Sequence, residues 1–208
     1  MQEAGSGKQE AINIQTVQLV LFCDLGCPKS LDRYTFRHDS VLAHLLDTII
    51  KRKKEGVEVF ADLDGWRVNG GTVPHEMAPT EQRPDLVVID RSVTPNKVLL
   101  VELTVPWDAA NSFQAAMERK TARYERLTED LRKAGYDARN LPLEIGCRGV
   151  INQRNAANLE YICNQVGIRS IKKLKGALGR VALIGSYRIW LARNSQEWSA
   201  GELIKVKA

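Results

Sequence analysis

The sequence predicts a mixed α/β domain built around one central sheet, and two observations carry that expectation. Residues 83–108, RPDLVVIDRSVTPNKVLLVELTVPWD, hold two short apolar, β-branched runs separated by Thr94, Pro95 and Asn96, the pattern of two strands joined in a hairpin. On both sides of this hairpin, apolar residues recur at helical spacing instead. Strands flanked in the chain by amphipathic helices bury their faces best as a layered sheet covered by those helices.

The elements follow in order. The opening MQEAGSGKQEAI is small and polar, so residues 1–15 read as a tail and 16–208 as one domain. From Ser30 to Glu55 the spacing predicts a helix, with Val41, Leu42, Leu45, Leu46 and Ile49 on one face and Gly56 as its stop. VEVFADL (57–63) reads as a strand, and the Gly- and Pro-rich residues 64–82 as an irregular loop before the hairpin. Asp108, Asn111 and Ser112 offer N-caps for a long helix running to about Lys133 and closed by Gly135. LPLEIGCRGVI (141–151) reads as a further buried strand. Two or three helices follow from Arg154, those beyond about residue 166 forming a basic C-terminal extension.

Composition narrows the class. With 208 residues, 44% hydrophobic and 26% charged, the chain has enough apolar material for one sizeable core. A net charge of +5 favours a polyanionic partner. The longest late apolar run, VALIGSYRIWLA, is too short to cross a bilayer and contains Arg188, so no membrane association is expected. Cys23, Cys27, Cys147 and Cys163 include only one close pair, which argues for buried reduced thiols in an intracellular protein over a zinc site.

The hairpin raises a physical question, because Asp85 and Glu102 interrupt its apolar runs. Taking Arg91–Asn96 as the loop pairs Asp90 with Lys97, Ile89 with Val98 and Val87 with Leu100, and so sets Asp85 opposite Glu102. Opposed side chains on one face have Cβ atoms about 5 Å apart. Two like charges at that distance repel by roughly 3 kcal/mol at an effective dielectric near 20. A hard divalent cation compensates such a pair, since Mg²⁺ is commonly held by one or two carboxylates plus waters and phosphate oxygens. Two readings compete with it. A register shift of one residue would send the acids to opposite faces, and Arg83 or Arg119 would neutralise either one.

The next helix adds a cation. Its apolar stripe runs Phe113, Met117, Leu127 and Leu131, and the positions filling its middle are Lys120 and Tyr124. A lysine there either snorkels to solvent or approaches the acids, where an ammonium stabilises charge developing on a scissile phosphate.

Two acids on adjacent strands and a lysine form the constellation of the PD-(D/E)xK nucleases. The chain spells it RPD at Arg83–Asp85 and VEL at Val101–Leu103, with sixteen residues between Asp85 and Glu102. With KTARY at Lys120–Tyr124 and RYTFRHDSVLAHLL at 33–46, centred on Arg37, His38 and Asp39, it resembles the restriction-like endonuclease domain of site-specific non-LTR retrotransposons over roughly residues 30–165. In that family the lysine has moved from the strand to the following helix, ahead of a tyrosine, and Thr104 here stands at the strand position. The resemblance implies a restriction-endonuclease-like fold, a central mixed sheet flanked by helices with extra C-terminal helices. It implies a DNA endonuclease using Mg²⁺ or Mn²⁺ held by Asp85, Glu102 and the Leu103 carbonyl. Lys120 would position the attacking water, and Tyr124 would orient Lys120 or touch the phosphate. The family's zinc knuckle is not matched, since its histidine falls at Leu19 or is missing in IQTVQLVLFCDLGC, and no zinc is expected.

Double-stranded DNA is the expected partner, with a reverse-transcriptase region of the parent element as a second and the nucleus as the compartment. The alternative is a catalytically inactive DNA-binding relic or a partner-recruiting module of the same fold. Residues 168–194 contain seven basic residues and no acidic one, and Lys172, Lys173, Lys175 and Arg180 with Arg83 are the candidate phosphate contacts. A solvated helix face is the competing reading, as it is for KRKK at 51–54. His38 lies on the apolar side of its helix, where it serves either as a structural histidine or as a DNA contact.

Overall fold

The structure, a computed structural model, describes residues 31–106 and 123–192. Helix α1 (Leu31–Ile50) buries the predicted face of Val41, Leu42, Leu45 and Ile49. It ends six residues before Gly56, which instead takes the left-handed turn (φ +77°) leading into β1 (Val57–Ala61). Strands β2 (Leu86–Asp90) and β3 (Lys97–Thr104) form the hairpin. Helix α2 is described over 123–133, followed by β4 (Asp137–Glu144), α3 (Gln153–Val166) and α4 (Lys172–Leu191).

The sheet order is β1-β2-β3-β4, with the first three strands antiparallel and β4 parallel to β3. Strand β4 begins four residues earlier than its apolar pattern suggests and stops at Glu144. Its first half is polar because β4 is an edge strand, with the Arg139 guanidinium over the Tyr161 ring at 5.0 Å. Beyond it the chain turns at Gly149 (φ +88°) and does not continue as a strand.

Each face of the sheet is covered. One face, including Val59, Leu86, Val88, Leu99, Val101 and Leu103, packs in a single cluster with α1, α3 and α4. The other, with Val87, Ile89, Val98 and Leu100, meets Tyr124, Leu127 and Leu131 of α2 and Val73 and Met77 of the long loop. Helix α4 is therefore part of the core through Leu174, Leu178 and Ala182, not an appendage to it.

Close approach holds α4 in place. Arg37 of α1 is buried, and its Nη1 donates to Ser186 Oγ (3.0 Å) while Nη2 donates to the Val105 carbonyl (2.9 Å). Ser186 Oγ in turn lies 2.6 Å from the Cys147 carbonyl, so one network joins α1, α4 and the ends of two strands. At Gly179 the helix backbone meets the turn at Gly149, and a Cβ there would lie 2.8 Å from the Gly149 carbonyl oxygen. A Cβ at Gly176, one turn earlier, meets nothing within 4 Å.

The same substitution should therefore have opposite signs at the two glycines. Gly176→Ala gains helix propensity and is expected to stabilise the protein by about 0.5–1 kcal/mol. Gly179→Ala gains the same propensity but forces backbone apart, with a net loss of about 1–2 kcal/mol. Urea unfolding of both variants measures this, and equal shifts would contradict the packing described.

Candidate active site

The hairpin register is the one that counting from the loop requires. Asp90 pairs with Lys97, Ile89 with Val98, Val87 with Leu100 and Leu86 with Val101. The far end of the register is pinned by Asp90, which is buried, accepts from Ser92 N–H at 3.0 Å and pairs with Lys54 Nζ at 2.8 Å. Burial alone would raise the Asp90 carboxyl; the bonds from Lys54 and Ser92 outweigh it and hold the group below its usual range.

Alternation along the strands then fixes the acids. Asp85 lies two residues before Val87, and Glu102 two after Leu100, so both project on the α2 side, where they line one cleft. That cleft, of about 640 Å³, is also lined by Asp62, Glu81, Gln82, Arg83 and Arg123. The residues that would hold a cation are Asp85 and Glu102, 9% and 2% exposed, which suit a hard cation in their oxygen chemistry. Among the described residues, no group of three or more His, Cys, Asp or Glu side chains is gathered to hold a metal by itself.

Both carboxylates already have partners in the chain. Asp85 Oδ2 accepts from the Leu103 backbone N–H at 2.7 Å and lies 3.3 Å from His38 Nε2. His38 Nδ1 lies 2.9 Å from Asp39 Oδ1, so the ring is set between two carboxylates. Burial works against charge on this ring, but Asp39 and Asp85 outweigh it and lift the His38 pKa to about 9. Glu102 Oε1 lies 3.6 Å from Arg123 Nη1. Asp62, also on the cleft lining, is paired with Arg67 Nε at 2.6 Å.

Tyr124 is fully buried and donates to the Arg83 carbonyl at 2.9 Å. Burial first, and then the nearby Glu102 charge, push its phenol well above the usual range, so it stays protonated as an anchor. This position ties α2 to the segment leading into Asp85 and suits orientation better than contact with a phosphate.

Lys120, Arg119, the N-cap candidates Asp108, Asn111 and Ser112, and the Cys23–Cys27 pair lie outside the described residues. Cys147 and Cys163 are buried, and burial pushes Cys163 up to about 11. Lys172, Lys173 and Arg180 are exposed on α4, Lys175 is half-buried, and Arg83 is exposed on the cleft rim. The run at 51–54 is more than a helix end. The Lys54 N–H donates to the Val166 carbonyl, and Arg52 lines a shallow cleft with His44, Ser170 and Lys173, so cations distant in sequence share one surface.

Sequence spacing did not identify Arg123, the His38–Asp85 contact or the buried Glu144. The Glu144 backbone N–H donates to Asn155 Oδ1 at 2.9 Å, and Asn155 Nδ2 donates back to its carboxylate at 3.3 Å. The signal for Arg123 was its place three residues after Lys120, nearly one helical turn. No protein-family model matches the chain, and a search of curated proteins returns no match.

The His38 arrangement has a signed pH dependence. A folded-state pKa above the unfolded value of 6.5 contributes stability that is full below pH 6.5 and lost as the pH rises through about 9. His38→Gln in chelator-treated protein should be less stable than wild type at pH 6, with the gap closing by pH 9. Denaturant unfolding across that range tests it. A gap that widens with pH would show that His38 is buried neutral.

Proposed function

We propose that this chain is a metal-dependent DNA endonuclease that hydrolyses a phosphodiester in the cleft between β2, β3 and α2. The observation that carries the reading is the placement of Asp85 and Glu102 on one face of adjacent strands, in one cleft whose rim carries Arg83 and Arg123. An acidic floor beneath a cationic rim suits a divalent cation below and a phosphodiester above. A mixed sheet covered by helices on both faces also agrees with the restriction-endonuclease-like fold that the motifs resemble.

Asp85 and Glu102 would hold Mg²⁺ or Mn²⁺, with the Leu103 carbonyl as the resemblance implies. The cation would supply Lewis acidity, activating a water and polarising the phosphodiester. His38 and the Leu103 N–H fix the rotation of the Asp85 carboxylate through Oδ2. Tyr124 holds the Arg83 backbone, and hence the approach to Asp85, against α2. Lys120 is assigned the orienting of the nucleophile on the strength of the KTARY motif. Lys172, Lys173 and Arg180 supply sequence-independent affinity for duplex DNA.

A second reading has its own observation. Asp85 and Glu102 already meet His38 and Arg123, so the acid pair is tolerated with no cation bound, as a DNA-binding relic would require. Supercoiled plasmid incubated with Mg²⁺ or Mn²⁺ separates the two. The endonuclease nicks it, Asp85→Ala and Lys120→Met lower the rate by at least 100-fold, and both variants keep their DNA affinity. A wild type no faster than Asp85→Ala would establish the relic.

Either reading predicts salt-sensitive DNA binding. Neutralising Lys172, Lys173 and Lys175 together should reduce the slope of log K against log[salt] by up to about 3 × 0.9. An unchanged slope would assign that surface to solvent or to a protein.

A further inference from the structure

We propose that Arg123 is a catalytic residue of this cleft, the group that grips the non-bridging oxygens of the phosphodiester. The inference rests on the endonuclease reading and adds to it a cation that no motif assigns.

Four acids, Asp62, Glu81, Asp85 and Glu102, line the cleft against two cations, Arg83 and Arg123. A phosphodiester entering an acid-lined site needs positive charge on its open side as well as beneath it. Arg123 is placed to provide that charge. Its Nη1 lies 3.6 Å from Glu102 Oε1, beyond hydrogen-bond length, and its side chain is 60% exposed. The guanidinium is thus held near Glu102 without being committed to it. An ion pair that long and that open contributes little to stability.

What keeps Arg123 at the cleft is packing around its stem and backbone. Its Cζ lies 5.3 Å from the centroid of the Tyr124 ring, a buried platform that restricts where the guanidinium can go. Gln82 Nε2 donates to the Arg123 carbonyl at 3.2 Å, and the Tyr124 hydroxyl donates to the Arg83 carbonyl at 2.9 Å. These two cross-links fasten α2 to the segment bearing Arg83. Both arginines are thereby set on the rim of one cleft. A planar guanidinium offers two parallel N–H donors to two phosphate oxygens, a match that an ammonium does not make.

Single-turnover nicking of supercoiled plasmid with Mn²⁺ tests the assignment, using the full chain and three variants. Arg123→Met should slow nicking by at least 100-fold, and Arg123→Lys, which keeps the charge but not the fork, should fall between it and wild type. Arg126→Met, an exposed neighbour on the same helix outside the cleft, should nick at the wild-type rate. Melting temperatures of all three should stay within a few degrees of wild type. Nicking by Arg123→Met within threefold of wild type overturns the proposal and leaves the endonuclease reading standing. Should Arg123→Met melt early, Arg123→Lys carries the decision: a folded lysine variant at the full wild-type rate overturns the guanidinium's role. A wild type that does not nick, like Asp85→Ala, overturns the function and this assignment with it.

Discussion

Two like-charged carboxylates, Asp85 and Glu102, lie almost out of water on neighbouring strands. At an effective dielectric near 20 such a pair repels by roughly 3 kcal/mol, a large share of what holds a domain folded. The protein meets this with partners from three directions. The backbone of β3 gives its Leu103 N–H to Asp85, α1 gives His38, and α2 sets Arg123 beside Glu102. None of these contacts survives a slip of the hairpin by one residue, because the slip would turn the acids to opposite faces. Register is accordingly fixed at the far end of the hairpin, where Lys54 and Ser92 hold the buried Asp90.

This arrangement also explains why the molecule is layered as it is. Asp85 sits where the β2 ladder ends, at a point that helices on both sides of the sheet can reach. α1 must therefore lie close to the sheet, and the buried Arg37 network with the small residues of α4 keeps it there. Tyr124 does the equivalent work for α2 by bonding the Arg83 carbonyl. The cations at 52 and 173 gather at a second surface, formed where α1 ends and α4 begins. A polyanion held by that surface would be bound by charge, while the acid cleft would be left to chemistry.

Much of this could be read in the sequence, for definable reasons. The hairpin was legible because its loop length fixes the pairing, and pairing fixes the face of every residue. The α1 face was legible because its apolar residues keep a strict helical spacing. The bounds of β4 are not legible, because an edge strand exposes polar residues such as Arg139, while the apolar stretch after it turns at Gly149. The contact of His38 with Asp85 joins residues far apart in the chain, and no local pattern announces it. Nothing in the sequence marks Arg123 either, because an arginine beside a buried tyrosine is ordinary without the cleft beneath it.

On the endonuclease reading, the Asp85–Glu102 pair is a cation site and not only an internally neutralised pair. Titrating the chelator-treated full chain with Mn²⁺, and following free Mn²⁺ by electron paramagnetic resonance, tests this. Saturable binding is expected in the wild type and lost in both Asp85→Asn and Glu102→Gln, with the folded state intact in each. Equal Mn²⁺ uptake by wild type and both variants, or none by any of them, would contradict it.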